Sequence, residues 1–189
     1  MAKQQQGQKK ALFTFNLSEL NKVFGRRERE KQKEVAFLEE WFEKWGLGKP
    51  DEIAMSASVL ERIITITPED ESSQDAAKFL DDWAKRIGAV LKSLQLTTSQ
   101  IRSLFGTVRQ IEMNWQRGAS DVEARAAARQ LLLLKPKLAY QGQRVSSVVK
   151  LADLLGAAID FVGTDRNRFG NFVDFFEAIL AYHTAAGGH

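Results

Sequence analysis

The sequence predicts an all-α protein, a compact helical bundle of about six to eight helices, on three observations. Leu, Ala, Lys, Glu and Gln are abundant, with only 3 prolines and 13 glycines among 189 residues, a composition that favours helix over sheet. Val, Ile and Thr nowhere alternate with polar residues at length, so the period of a half-buried strand is missing. Apolar side chains recur instead at three- and four-residue steps, the period of a helix face. At 44% hydrophobic residues the chain can bury a core, and its length fits one domain or one domain with a small appendage.

The elements follow in order. Residues 1–11 are polar, glutamine-rich and basic, a composition expected to be disordered in isolation. A short helix is predicted from Leu17 to Phe24, capped by Asn16 or Ser18. Its successor runs from about Arg27 to Trp45, where Val35, Leu38, Trp41, Phe42 and Trp45 form an aromatic-rich stripe and Gly46 and Gly48 stop the helix. That stripe reads as core, with docking against a neighbouring subunit as the alternative. A helix from about Asp51 to Ile64 is expected next, ended by the β-branched Ile64 to Thr67 and by Pro68. The acidic, serine-bearing stretch from Pro68 to Asp75 is the best linker in the chain. It divides an N-terminal helical extension, residues 1–72, from a helical core domain, residues 73–189.

From Ser73 to about Gln95, Ala76, Phe79, Leu80, Trp83, Ile87, Val90, Leu91 and Leu94 share one face. Thr97 with Gln100 forms a capping box for a helix that buries Ile101, Leu104, Phe105, Val108, Ile111 and Trp115 and is closed by Gly118. Ser120 with Glu123 is a second capping box. It opens a helix that reaches the consecutive leucines 131–134, which show every face to apolar surroundings and should lie inside the fold or under another chain. Pro136 should bend or break that helix. Val148 to Val162 forms an ordinary amphipathic helix. The last helix, about Asn167 to Ala185, is apolar over so much of its girth that it needs cover from both sides, by the fold or by a partner.

Charge is segregated along the chain. Residues 35–84 hold four Lys/Arg against twelve Asp/Glu, and residues 85–150 hold twelve against three. A block at +9 after one at −8 marks either a polyanion-binding face or two faces that neutralise each other within or between subunits. The absence of cysteine excludes disulfides and thiolate metal sites and fits a cytoplasmic protein. The start of the chain lacks the apolar core of a signal peptide, and no apolar run approaches the roughly 18 residues of a membrane span.

Catalytic signatures are missing: there is no phosphate-cradling GxxxxGK[ST], no HExxH, no GxSxG and no glycine-rich dinucleotide fingerprint. His183, near the end of the last helix, reads as a capping or packing residue. The carboxylates of Asp81 with Asp82, and of Asp174 with Glu177, read as solvated helix faces without a metal-ligand pattern. Neither a catalytic site, a metal nor a cofactor is expected, and the chain does not read as an enzyme. The positive signal is a set of cations, Arg102, Arg109, Arg125, Arg129, Lys135, Lys137 and Arg144. Arg102 and Arg109 ride on one flank of their helix, as do Arg125 and Arg129 on theirs. Such a set can engage phosphates at their regular spacing, and the guanidinium fork suits phosphate oxygens. Tyr140 shares a face with Arg144 and is suited either to stacking on an unpaired base or to the core, and Gly142 lets another backbone approach. With no aromatic signature of a base-reading module, binding should depend weakly on base sequence.

Three stretches, LTTSQIRSLFG at 96–106, LLLLKPKLAYQGQR at 131–144 and FVDFFEAILAYHTAAGG at 172–188, together resemble the small subunit of the type III-A CRISPR effector, the Csm complex. The resemblance covers roughly residues 76–188, leaving 1–75 outside it. Gly142 is followed by Gln143, where the family commonly has glycine directly before the arginine. What the resemblance implies is an all-helical, non-catalytic subunit. Several copies would stack beside the backbone subunits and line the groove that holds CRISPR RNA and its single-stranded target RNA. It places Arg102, Lys135, Lys137 and Arg144 at matched basic positions. Arg109, Arg125 and Arg129 join them by periodicity. The expected partners are these RNAs, other Csm subunits and further copies of the chain, without a membrane. The alternative is a helical scaffold that self-associates through its acidic and basic faces and does not bind RNA.

Overall fold

The computed structural model describes residues 11–51, 53–67, 73–144 and 146–189, with side chains except at 73, 142–144, 146 and 147. The expected disordered start, up to residue 10, and the linker at 68–72 lie outside the described residues. Helix dominates the rest, as the composition predicts, and one small sheet is added to it.

That sheet corrects the expectation of a helix beginning at Asp51. β1 (Phe13–Phe15) pairs antiparallel with β2 (Ile53–Met55), Phe13 opposite Met55 and Phe15 opposite Ile53. These four side chains point inward and are buried, while Thr14 and Ala54 face out. Between the strands lie a 3₁₀ turn (Leu17–Glu19), α1 (Leu20–Phe24) and α2 (Glu28–Trp45). The Asn16 side chain accepts from the backbone N–H of Ser18, and Glu19 reaches back to the Asn16 N–H, so the turn starts on a reciprocal cap. α2 ends with Gly46 at φ 63° and with the Leu47 N–H donating to the Phe42 carbonyl at 2.9 Å, a Schellman-type stop that glycine enters without the steric cost of a Cβ. α3 (Ala57–Thr65) follows the second strand, capped by Ser56, whose Oγ accepts from the Val59 N–H at 3.3 Å.

The remaining helices are α4 (Ser73–Ser93), α5 (Thr98–Asn114), α6 (Asp121–Leu132), α7 (Leu134–Arg144), α8 (Ser146–Val162) and α9 (Arg166–Ala185). Both capping boxes form: Thr97 with Gln100 opens α5, and Ser120 with Glu123 opens α6. α9 is the axis of the bundle. Phe169, Phe172, Val173, Phe175, Phe176 and Ile179 are all buried, so the fold itself supplies the cover that this helix needs. Phe105 of α5 meets Phe176 edge-on at 5.3 Å, and Trp115 stacks on Phe169 at 5.0 Å. α4 presses closest: a Cβ at Gly88 would lie 2.7 Å from the His183 backbone nitrogen, an approach that only glycine permits. The N-terminal elements join the same core, Leu60, Ile63 and Ile64 of α3 lying against α8 and α9. Asn171 of α9 donates through Nδ2 to the carbonyls of Ile64 and Ile66 at 3.0 and 2.8 Å, satisfying orphan acceptors at the end of α3.

Candidate nucleic-acid interface

The four leucines, expected inside the fold or under another chain, are split by the fold, which buries two of them and leaves two at its surface. Leu131 and Leu134 are each 1% exposed, whereas Leu132 and Leu133 are 51% and 54% exposed. α6 stops at Leu132, with Leu133 as its C-cap, and α7 restarts at Leu134. The break therefore comes just before Pro136, not at it. Pro136 is the third residue of α7, where its missing N–H would have had no intrahelical partner anyway.

α6 wears its apolar side chains on both faces. Ala127, Ala128 and Leu131 are buried. On the outside, Val122, Arg125, Arg129, Leu132 and Leu133 fall within about 100° of one another on a helical wheel, and all are exposed. Small alanines bring α6 close to the body and leave the larger residues facing out. In sequence, no Asp or Glu occurs between Glu123 and Asp153, while Arg125, Arg129, Lys135, Lys137, Arg144 and Lys150 do.

α7 turns Leu134 and Leu138 inward and carries two shallow grooves, with Pro136 on the ridge between them. Lys135 lines the inner one, of about 460 Å³, together with Ala139, Ala152, Asp153, Gly156 and Asp160. Its Nζ donates to Asp160 Oδ1 at 2.6 Å, joining the start of α7 to the end of α8. α7 and α8 therefore run antiparallel. Lys137 lines the outer groove, of about 440 Å³, with Pro136, Tyr140 and Gln141. The two lysines that bracket the proline thus point about 200° apart around the helix. Tyr140 is 61% exposed, so of its two expected places the core is the wrong one.

The other expected cations divide into held and unheld. Arg109 Nη1 donates to Glu112 Oε2 at 2.5 Å and its guanidinium lies 5.9 Å from the Phe105 ring centre. Asp174 stands near it. Burial, then the charges of Glu112 and Glu177, push the Asp174 carboxyl above the ordinary carboxylate range, so Arg109 answers an acidic neighbourhood of the fold. Arg125 donates through Nε to the Asp121 carbonyl at 3.1 Å. Arg102, Arg129 and Lys137 are exposed and have no hydrogen bond or ion pair to any described residue. The Arg144 side chain and Gly142 lie outside the described side chains. Sequence reasoning placed Arg109, Arg125 and Arg129 by helical period and Arg102, Lys135, Lys137 and Arg144 by the family resemblance. It had no signal for Asp160, which comes from twenty-five residues away, or for the exposed leucines.

Among the described residues no group of His, Asp and Glu could hold a metal ion, and no helix is long and apolar enough to cross a membrane. His183 is buried, as a packing residue would be, with Nε2 bonded to the Leu96 carbonyl at 2.7 Å.

Fold and surface together define a helical protein with a cationic, aromatic-bearing exterior along α6 and α7. Residues 74–189 match the family described as Csm2 Type III-A, and the chain belongs to that family. It is a subunit of the type III-A CRISPR effector, in a family of structural subunits that associate with the other subunits of the Csm complex. The match bears out the resemblance read from the three sequence stretches. No curated protein and no solved structure is significantly similar to the chain.

Proposed function

We propose that this chain is a non-catalytic RNA-binding subunit, stacked in several copies and lining the groove for guide RNA and target RNA. The observation that carries the reading is the acid-free stretch from Ala124 to Ala152, whose Arg129 and Lys137 are exposed and unpaired among the described residues. Cations without internal counter-ions are the ones that release condensed ions when a phosphate chain replaces them. Arg102 extends the set onto α5. Arg109 and Lys135 enter only by exchanging a carboxylate for a phosphate.

The test is charge reversal of Lys135, Lys137 and Arg144 to Glu in the full chain, followed by filter binding of single-stranded RNA across a salt series. Every phosphate that is no longer neutralised should flatten the log–log salt dependence by roughly 0.7, with helicity by circular dichroism unchanged. Equal affinity for wild type and variant would overturn the reading.

A second reading has one observation in its favour. Val122, Leu132 and Leu133 stand beside Arg125 and Arg129 on the outside of α6, and apolar residues set among arginines are the composition of protein interfaces. In that reading the chain is a scaffold that self-associates without RNA. Sedimentation at the same salts separates the two, because a scaffold would associate while retaining no RNA on the filter.

A further inference from the structure

We infer that the outer groove of α7 is a subsite for a single unstacked nucleobase of an RNA strand, with Tyr140 as its stacking platform. The inference rests on the RNA-binding reading above and adds a ligand class that cations alone do not specify. Among the described residues, four side chains line the groove, Pro136, Lys137, Tyr140 and Gln141. They occupy positions i, i+1, i+4 and i+5 of one helix, an arc of about 140° that ends beside the buried Leu134 and Leu138.

The chemistry of these four is that of a nucleotide in pieces. Tyr140, 61% exposed, offers an aromatic face, and every base has a π-face that stacks on one without regard to sequence. Pro136 is one turn earlier on the same flank and supplies a rigid apolar wall. Lys137 is exposed and unpaired among the described residues, a point charge for the phosphate that follows the base. The Gln141 amide holds both donors and acceptors for a base edge. At about 440 Å³ the groove lies within the range of small-molecule sites, roughly 300–1,000 Å³.

An acidic peptide would use Lys137 but not the ring of Tyr140, and an apolar helix would bury the lysine unpaired. A base with its phosphate uses all four. The acid-free stretch around the groove also gives it the sign of charge that draws a polyanion.

The test uses the full chain and two fluorescein-labelled probes of roughly 12 nucleotides, within the span of ordinary single-strand sites. One is oligouridine, and the other is the abasic ribose-phosphate of the same length. Wild type should prefer oligouridine by roughly 5- to 10-fold, the lower part of the range for stacking one base. Tyr140→Ala should erase that preference, leaving abasic affinity and salt slope unchanged, and Tyr140→Phe should keep it. Lys137→Ala should weaken both probes alike and flatten the salt slope by roughly 0.7, the loss of one phosphate.

If Tyr140→Ala binds both probes as wild type does while Lys137→Ala weakens both, the subsite is overturned and the RNA reading stands. If wild type retains neither probe, both readings fall. If Tyr140→Ala leaves RNA binding intact and abolishes self-association or binding to other Csm subunits, the groove belongs to a protein and the subsite is overturned. Tyr140 lies at the surface, so circular dichroism of each variant should match wild type.

Discussion

The seam between α4 and α9 and the outer face of α6 and α7 are built from similar residues and treated in opposite ways. On the seam, Tyr182, Asp81 and Lys85 hold one another. Tyr182 donates to Asp81 Oδ1 at 2.6 Å, and that bond, with burial behind it, pushes the phenol up to about 12. Lys85 reaches the other oxygen of Asp81 and sits 4.5 Å from the Trp45 ring centre. On the outer face, leucines stand in water and cations lack acids. The difference teaches which side chains the fold itself satisfies and which it leaves to the solvent.

The comparison breaks most sharply under core truncation. Phe176→Ala should cost about 3–5 kcal/mol, as deletion of a buried phenyl does, whereas Leu132→Ala should stay within about 0.5 kcal/mol, as at an ordinary surface position. Guanidinium unfolding of the two variants reads the gap directly. A large loss in Leu132→Ala would show that its exposure is not the whole account. Gly88→Ala comes next, because its methyl would press on the His183 backbone. Overpacking there should cost about 1–3 kcal/mol, with a lower unfolding midpoint at unchanged slope.

His183 sharpens the same contrast through pH. Its ring is closed in by Gly188, Nε2 is spent on Leu96, and Nδ1 is buried without a partner among the described residues. Burial lowers its proton affinity below the ordinary value of 6.5, and the charge of Lys92 acts in the same direction. The unfolded chain then binds the proton more readily than the folded one, so stability rises with pH in this range. The contribution is fully present above about pH 6.5, and it is lost as pH falls from there through the lower folded value. His183→Gln keeps a donor for Leu96 and should flatten that loss in unfolding midpoints between about pH 5 and 7. An unchanged slope would assign the effect to other groups.

How much of this was legible in the sequence depended on how local each cause was. Thr97 with Gln100 and Ser120 with Glu123 are contained within four residues, and both boxes form where their spacing predicts. β1 and β2 are three residues each with some forty residues between them, too short to show a period and held by pairing that no local window contains. The leucine run left two placements open because composition cannot say that a helix restarts at Leu134 and turns two of four side chains outward. The small alanines of α6 were the available clue, since they fit the buried face of a helix lying close to its neighbour. Among the site residues, the helical period correctly set Arg102 beside Arg109 on one flank, but only the fold shows that Glu112 holds one and leaves the other.

Lys135 gives the smallest expected effect and the finest cut through the comparison, because it lies on α7 but is held like a residue of the seam. Its partner Asp160 is itself more than half exposed, so the pair adds only about 0–1 kcal/mol to stability. Removing the carboxylate with Asp160→Asn should leave the unfolding midpoint nearly unmoved. For RNA the consequence differs. A phosphate approaching Lys135 must displace the carboxylate or bind against its charge. In the variant neither cost remains, and affinity should rise by about two- to fivefold at low salt. The gain should fade as added salt shortens the screening length to a few ångströms. A titration of wild type and Asp160→Asn at two ionic strengths decides the matter. Equal affinities at low salt would mean that Lys135 faces no phosphate, and the cationic surface would then run along α6 and the outer side of α7, leaving the α8 side to serve the fold.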